Sequence, residues 1–159
     1  MKDALRLGMR RLAAGVCVVS TKVDGQSFAM TATSVTSVSD EPASLLVCIN
    51  KETSMQPVLV MGQVFVVNVL SQAQQNVSNV CAGRGDMDER FSVGDWQQGH
   101  NDTPYLVDAQ ASFFCRVDND QYLYGTHQIV IGRLEKVIVS DEAVNPLIYI
   151  NGGYTAINK

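Results

Sequence analysis

The chain has 159 residues, of which 46% are hydrophobic and 18% are charged, and its formal net charge at pH 7 is −4. This length is typical of one domain with a sizeable core, so we expect residues 1–159 to fold as a single domain. The mildly acidic composition, without a lysine and arginine cluster, disfavours nucleic-acid binding, and the apolar runs are far shorter than the roughly 20 residues that span a bilayer.

The first predicted element is an amphipathic helix over residues 2–14. Leu5, Met9 and Leu12 fall on one helical face, whereas the arginines of this segment lie largely elsewhere. Gly15 supplies a stop signal for the helix. The apolar face is a candidate packing surface.

A β-hairpin is predicted next. Residues 16–22 form its first strand and Asp24-Gly25 its turn, because Asp-Gly between two β-rich runs is a strong turn signal. The second strand is FAMTATSVTSVS, residues 28–39, and Pro42 closes it. A third strand follows at residues 44–50.

A short helix and a fourth strand come after the third strand. Thr53 or Ser54 can cap this helix, which runs to about Met61 with Pro57 inside its first turn. The fourth strand is FVVNVL, residues 65–70.

A second helix begins with a capping box made of Ser71 and Gln74. Its apolar side chains recur at helical spacing and predict a buried stripe: Val77, Val80 and Cys81. Gly83 ends the helix.

The segment from Arg84 to Pro104 is predicted to be a long polar loop, with Phe91 and Trp96 as its anchors. Three further strands complete the prediction: residues 109–117, 124–140 and 146–152. Many strands joined by short turns, with few helices, indicate a mainly β fold, an antiparallel barrel with short peripheral helices. A parallel dinucleotide-binding fold is disfavoured because no G-x-G-x-x-G motif opens a helix after the first strand.

The four cysteines are far apart in the sequence: Cys17, Cys48, Cys81 and Cys115. Their spacing is not that of a zinc site or a redox dithiol, so we expect buried, reduced thiols and no metal site. The first residues carry scattered charges and lack the unbroken apolar stretch of a signal peptide. We therefore expect a cytoplasmic protein.

The segment MTATSVTSVS, residues 30–39, is an unusual strand because its side chains are short on both faces and six of the ten carry a hydroxyl. Such a strand lets a flat ring approach the backbone, while N–H, C=O and hydroxyl groups bond to the edge of the ring. An isoalloxazine ring suits this description. An edge strand that simply faces water is the alternative that the residues leave open.

Three segments together resemble one known family. They are MTATSVTSVSDEPASLLVCINKETSMQP, MDERFSVGDWQQG and YGTHQIVIGRLEKVIV. In order and spacing they are similar to the landmarks of the flavin reductase-like family, the short-chain flavin reductases of two-component flavin monooxygenases. Most relatives carry Gly-Asp-His where this chain has Gly125-Thr126-His127, and the threonine form is typical of the hydroxyphenylacetate-type branch.

The resemblance implies an antiparallel, FMN-binding split β-barrel of Greek-key type that forms a homodimer. It also implies non-covalent binding of FMN or FAD and reduction of that flavin by NADH or NADPH. The reduced flavin would then diffuse to a separate oxygenase component.

The resemblance assigns flavin-binding positions to nine residues: Thr31, Ala32, Thr33, Ser34, Asn50, Lys51, Ser54, Ala82 and Gly83. The first four would hold the ring edge, the next three would meet the ribityl chain and phosphate, and the last two would border the phosphate side. His127 and Tyr154 would lie where the nicotinamide stacks on the flavin.

Hydride transfer depends mainly on stacking the two rings roughly 3–3.5 Å apart, so no catalytic acid or base is strictly required and His127 is only a candidate. Lys51 and a helix beginning at Thr53 or Ser54 can stabilise the anionic reduced flavin or receive a phosphate. From the residues alone, a lysine just after a strand is usually only a solvated lysine, and a lone histidine such as His127 is more often a structural residue than a catalyst. Cys81 stands where relatives often carry phenylalanine, which leaves that aromatic contact unassigned.

The leading interpretation is an NAD(P)H-dependent flavin reductase that supplies a monooxygenase. The first rival is a flavin-binding split-barrel protein without turnover, either an electron carrier or a sensor. A structural barrel that binds no flavin is the second.

Overall fold

The computed structural model describes residues 1–83 and 85–157. In these ranges the helices are α1 (Lys2–Met9), α2 (Gln75–Ala82) and α3 (Met87–Phe91), with single 3₁₀ turns at Gln56–Val58, Gln72–Gln74 and His100–Asp102. The strands are β1 (Ala14–Gly15), β2 (Cys17–Val23), β3 (Gln26–Ala32), β4 (Val35–Asp40), β5 (Ala43–Asn50), β6 (Val64–Val69), β7 (Trp96–Gln98), β8 (Pro104–Leu106), β9 (Ala111–Val117), β10 (Tyr122–Tyr124), β11 (His127–Val139), β12 (Ile148–Ile150) and β13 (Gly153–Thr155).

One large antiparallel sheet organises the protein, in the order β3-β2-β6-β9-β11-β5-β4, with β10 paired to β11. Two small sheets, β1-β12-β13 and β7-β8, lie beside it. The prediction of a mainly β, antiparallel fold with a few short helices is confirmed. In the described part of the chain, no helix combines the length and the hydropathy needed to cross a membrane.

Two apolar clusters pack on opposite faces of β2. Cys17 and Val19 belong to the larger cluster, which the sheet strands enclose. Val16 and Val18 belong to the second cluster, which lies beneath α2. A strand that is buried on both faces has a nearly continuous apolar sequence, and the run Val16–Val19 shows this pattern.

The predicted Asp24-Gly25 hairpin turn is confirmed. Both residues have positive φ angles, 50° for Asp24 and 80° for Gly25, and Val23 pairs with Gln26 across the turn. This is the backbone twist that a two-residue hairpin needs, and aspartate and glycine adopt it at low cost.

The prediction of one continuous strand over residues 28–39 is wrong. β3 ends at Ala32, and β4 begins at Val35 and pairs with β5 instead of β2. Ser34 lies at the break, where its carbonyl accepts a hydrogen bond from the Cys48 N–H (3.2 Å). Through Thr33 and Ser34 the chain therefore passes from β3, at one end of the strand order, to β4, at the other end. The predicted strand over residues 124–140 is likewise divided, by a turn at Gly125 between β10 and β11.

Helix α1 is shorter than predicted, because it ends at Met9 and not near residue 14. The carbonyl of Arg10 leaves the helix and accepts a hydrogen bond from the Asn151 N–H (2.8 Å) in the turn between β12 and β13. Leu5 and Leu12 are 63% and 62% exposed within one chain, so the predicted apolar face has no intramolecular cover.

The predicted helix from Thr53 to Met61 is reduced to the single 3₁₀ turn Gln56–Val58. Thr53 does not cap it, because its N–H and its hydroxyl both donate backwards to the Asn50 carbonyl (3.1 and 2.8 Å). These bonds close a turn at the end of β5 before a helix can begin.

The capping box before α2 is confirmed, since the side-chain oxygen of Gln74 accepts a bond from the Ser71 N–H (2.8 Å). The buried stripe of α2 consists of Val77, Ser78 and Cys81, while Val80 is partly exposed.

The predicted loop from 84 to 104 is mostly structured. Arg84 lies outside the described residues, but the remainder contains α3, β7 and a 3₁₀ turn. Phe91 and Trp96 do anchor it, with ring centroids 4.7 Å apart, against the cluster beneath α2.

Candidate functional site

A cleft of about 1070 Å³ opens between β3, the turn after β5, the end of α2, α3 and the terminal hairpin of β12 and β13. Eight of the eleven predicted site residues line it: Thr31, Ala32, Thr33, Asn50, Ser54, Ala82, Gly83 and Tyr154. Segments that are far apart in the sequence therefore meet in one cavity. The remaining three, Ser34, Lys51 and His127, are not among its lining residues, and their roles stay predictions.

Two of the hydroxyls expected to face a ring form hydrogen bonds within the protein instead. Thr31 donates its hydroxyl to the Ser78 carbonyl of α2 (2.7 Å), and Ser34 donates to the Cys48 carbonyl of β5 (3.1 Å). Thr33 is exposed, and its hydroxyl has no hydrogen-bond partner among the described residues. Thr33 is consequently the hydroxyl of this segment best placed to meet a ligand.

The second wall of the cleft is the turn that follows β5. The side-chain oxygen of Asn50 accepts a bond from the Glu52 N–H (2.9 Å), which fixes the turn, and the fully buried side chain of Met55 anchors its end. Ser54 lies exposed between these fixed points.

Gln128 holds the segment that follows this wall. Its amide nitrogen donates to the Leu59 carbonyl (3.0 Å), and its amide oxygen accepts a bond from Gln56 (2.8 Å). The side chain is 1% exposed, so these bonds satisfy a buried amide and fix the 3₁₀ turn. Sequence reasoning missed Gln128, because its partners lie 69 and 72 positions away in the chain.

His127 lies just outside the cleft, directly opposite Asn50 in the pairing of β11 with β5. The imidazole is exposed, and its Nδ1 lies 2.8 Å from the hydroxyl of Thr126. The backbone of Lys51 is also tied to this turn, with its N–H donating to the Thr126 carbonyl (3.0 Å), while the lysine itself is exposed. A ligand that extends out of the cleft past Asn50 would come near His127.

Tyr154 lines the cleft beside α2. Its hydroxyl lies 2.7 Å from that of Ser78, and its ring packs edge-on against Tyr149, with centroids 5.5 Å apart. Tyr149 also lines the cleft but was not predicted as a site residue. Tyr154 therefore lines the cleft, whereas His127, also expected beside the nicotinamide, is not among its lining residues.

Helix α3 supplies the main residues that the sequence predictions missed. Arg90 donates from Nη1 to the Ala29 carbonyl (2.6 Å) and from Nη2 to the Gly83 carbonyl (2.5 Å). Met87, one helical turn earlier, accepts the Ala29 N–H at its sulfur (3.3 Å). Both residues line the cleft, and their spacing of three along a helix was the available signal.

Cys81 forms part of the floor of the cleft. Burial raises the pKa of this thiol to about 11, although the nearby Arg90 guanidinium acts in the opposite direction. The thiol is therefore neutral near pH 7 and behaves as a small apolar group. In the described ranges, no group of three or more histidine, cysteine or acidic side chains is arranged to hold a metal ion.

The lining residues combine three kinds of chemistry. Phe28 and Met30 on β3 offer apolar surface, Asn50 and Thr33 offer polar groups, and Arg90 adds a cation. The volume lies just above the range for small-molecule and cofactor sites, about 300–1,000 Å³. This combination suits a ligand with a flat heteroaromatic ring and an anionic tail.

Comparison with known proteins agrees with this chemistry. Residues 9–158 match the family model described as flavin reductase like domain. The reductase component of an FADH₂-dependent resorcinol hydroxylase from Rhizobium sp. (strain MTP-10005) is 41% identical over 95% of this chain and 84% of its own. The FMN reductase (NADH) RutF from Stutzerimonas stutzeri (strain A1501) is 34% identical over 100% of this chain and 90% of its own.

A solved structure extends the likeness to the backbone. The NADH:FAD oxidoreductase SgcE6 of Streptomyces globisporus C-1027, determined with NAD and FAD fragments, superposes with a TM-score of 0.89. It is 26% identical, and the match covers 99% of this chain and 93% of that one.

Proposed function

The chain belongs to the flavin reductase-like domain family, and on this premise we propose that it is an NAD(P)H:flavin oxidoreductase. It transfers a hydride from NADH to FMN or FAD. The observation that carries the proposal is the agreement between a family match over nearly the whole chain and a cleft that gathers eight of the predicted site residues.

The cleft residues fit a flavin. The apolar side chains of Phe28 and Met30 can cover the plane of the ring, while Thr33 and the exposed backbone beside it can bond to the ring edge. Asn50 and Ser54 stand where they can meet the ribityl chain. A bound flavin supplies the hydride acceptor, and the cleft residues hold it in place and exclude water.

No acid or base in the cleft is needed for the proposed reaction. The contribution of the chain is to hold two planar ligands in contact, which can supply a large part of a rate enhancement. We assign the nicotinamide contacts to His127 and Tyr154. His127 lies opposite Asn50 in the pairing of β11 with β5, just outside the cleft, and Tyr154 lines the cleft.

We further propose a single domain over residues 1–159 that acts as a homodimer in the cytoplasm. The exposed apolar side chains of α1 and of the turn after it support a second copy as their cover, since Leu5, Met9 and Leu12 have no cover within the chain. The four cysteines are free, as a reducing compartment requires.

The product of the reaction is reduced flavin, which leaves for a separate oxygenase component. The name of the resorcinol hydroxylase reductase describes such a division of labour for that relative. The substrate of the oxygenase never enters the reductase cleft, so the specificity for that substrate resides in the partner.

Steady-state NADH oxidation under anaerobic conditions with excess FMN tests the proposal. We expect many turnovers per chain and a rate that saturates with added FMN. Bleaching of only one bound flavin per chain would instead identify an electron carrier or sensor. A colourless preparation that fails to quench FMN fluorescence would identify a structural domain.

A further inference from the structure

Arg90 carries a partly buried positive charge without a carboxylate partner. The ion pairs in the described residues join Lys22 to Asp102, Arg133 to Asp118, and both His100 and Arg116 to Glu135. None of them includes Arg90. Its Nε is buried and has no hydrogen-bond partner among the described residues.

The hydrogen bonds of Arg90 leave its charge uncompensated. A guanidinium has five N–H donors, and the two carbonyls of Ala29 and Gly83 use one donor on each terminal nitrogen. These bonds hold β3 and the end of α2 together, but carbonyls carry no formal charge. Removing a cation from water without a counter-charge is unfavourable, so a purely structural bridge would be better made by a neutral amide.

The acidic residues near Arg90 do not neutralise it. Glu89 directs its carboxylate toward Gly85, with Oε2 only 2.5 Å from the position that a Cβ on that glycine would occupy. Glu52 lines the opposite wall of the same cleft. Neither carboxylate lies within ion-pair distance of the guanidinium in the described structure.

We propose that Arg90 binds a phosphate group of the ligand in the cleft, with the remaining N–H donors of its terminal nitrogens. This inference rests on the proposed function, because it concerns the same cleft. Guanidinium is well suited to phosphate, since its planar donors match two phosphate oxygens and its charge is retained at every physiological pH. Gly83, which lines the cleft beside Arg90, has no side chain to obstruct an anion.

The phosphate can come from two ligands of the same chemistry. One source is the terminal phosphate of FMN, and the other is the pyrophosphate of the dinucleotide. Riboflavin has the ring of FMN but lacks the phosphate, so comparison of the two flavins isolates the first source. The KM for NADH, measured with riboflavin as acceptor, reports on the second.

The experiment measures flavin binding by fluorescence quenching with the full chain, its Arg90→Met and Arg90→Lys variants, and Arg133→Met as a matched control. Arg133 is half exposed and pairs with Asp118, outside the cleft. We expect Arg90→Met to raise the ratio of the FMN Kd to the riboflavin Kd about tenfold or more, as loss of a charged hydrogen bond predicts. Arg90→Lys should recover part of this ratio, and Arg133→Met should leave it unchanged.

An unchanged ratio in Arg90→Met, together with an unchanged KM for NADH, would overturn the proposal. An unchanged ratio with a KM for NADH that rises about tenfold would assign the phosphate to the dinucleotide and support it. If Arg90→Met does not fold, Arg90→Lys takes its place, because that variant retains the charge and loses only the fork geometry. A rise in its ratio of the FMN Kd to the riboflavin Kd then supports the proposal, and an unchanged ratio with an unchanged KM for NADH overturns it. The proposed reductase activity is tested by NADH oxidation with the unmodified chain. Failure of that activity is therefore distinguished from failure of the phosphate assignment to Arg90.

Discussion

The hydroxyl of Tyr154, on the last strand, lies 2.7 Å from the hydroxyl of Ser78 on α2. Ser78 also accepts the Thr31 hydroxyl at its carbonyl. One buried residue therefore joins the first hairpin, the second helix and the C-terminal strand, and all three of these elements border the cleft.

Replacement of Tyr154 by phenylalanine should lower the free energy of unfolding by about 1 kcal/mol, because Ser78 is buried and loses its side-chain partner. Urea denaturation measures this change. Tyr149→Phe is the matched control, since Tyr149 is 38% exposed and its hydroxyl has no hydrogen bond in the described structure. Equal destabilisation by the two variants would contradict a special role for the Tyr154 hydroxyl.

The two threonines at the end of β3 should differ in what they support. Thr31→Val removes a hydrogen bond within the protein and should lower stability by about 1 kcal/mol. Thr33→Val removes an exposed hydroxyl and should leave stability within about 0.5 kcal/mol, while weakening FMN binding roughly fivefold. Denaturation and flavin fluorescence titration on both variants measure the contrast. A stability loss in Thr33→Val, without a change in FMN affinity, would be the contrary result.

His127→Ala should raise the KM for NADH more than it raises the Kd for FMN. The imidazole is exposed and lies beyond the cleft at Asn50, so its removal leaves the flavin walls intact. Loss of one hydrogen bond predicts an increase of about tenfold in KM. His100→Ala serves as control, because His100 pairs with Glu135 away from the cleft. Equal losses for both ligands in His127→Ala would indicate a folding role.

Alkaline pH should destabilise the protein through its buried thiols. Burial raises the pKa of Cys17 from its ordinary value of 9.0 to about 12, so the folded chain keeps a proton that the unfolded chain loses. The contribution of Cys17 to the free energy of unfolding is therefore fully present below about pH 9. It is lost as the pH rises toward 12, by up to about 1.4 kcal/mol per pH unit for one thiol.

Denaturation midpoints between about pH 8 and 10.5 test this linkage. Cys17→Ala should flatten the decline with pH, even though it lowers stability overall. Cys48→Ala provides the comparison, since Cys48 is only partly buried. An identical pH slope in Cys17→Ala and the unmodified chain would exclude Cys17 as the source.

The exposed apolar side chains of α1 and of the turn after it should determine assembly. Sedimentation of the unmodified chain should give twice the chain mass of 17.3 kDa. The double substitution Leu5→Glu and Leu12→Glu should shift it toward monomer, because both side chains are more than 60% exposed in one chain and would be covered in a dimer. Arg11→Glu, in the turn that follows α1, is the control for added negative charge. A monomer in the unmodified chain would remove the homodimer from the proposal.

The sequence predicted the features that depend on neighbouring residues. Asp24-Gly25 specifies its turn through the φ angles that these residues tolerate, and Ser71 with Gln74 specifies a helix start through two local hydrogen bonds. The apolar runs gave the central strands to within a residue or two. In each case the determining interactions lie within a few positions of one another.

The missed features depend on distant partners. The break after Ala32 follows from the pairing of β4 with β5, which hydroxyl-rich residues on both sides of the break do not reveal. Arg90 was passed over because its role emerges only when α3 packs against β3. Tyr154 and Asn50 were assigned to the site by resemblance, and the fold explains their meeting at a single cleft.

The attachment of α3 to β3 also protects the sheet. β3 is the end strand of the large sheet, and its free edge at Ala29 is occupied by the Met87 sulfur and the Arg90 guanidinium. An uncovered edge of this kind recruits strands from other molecules. Detachment of α3 would therefore open the cleft and expose a template for aggregation in the same event, so ligand-free protein should be the form most prone to self-association on heating.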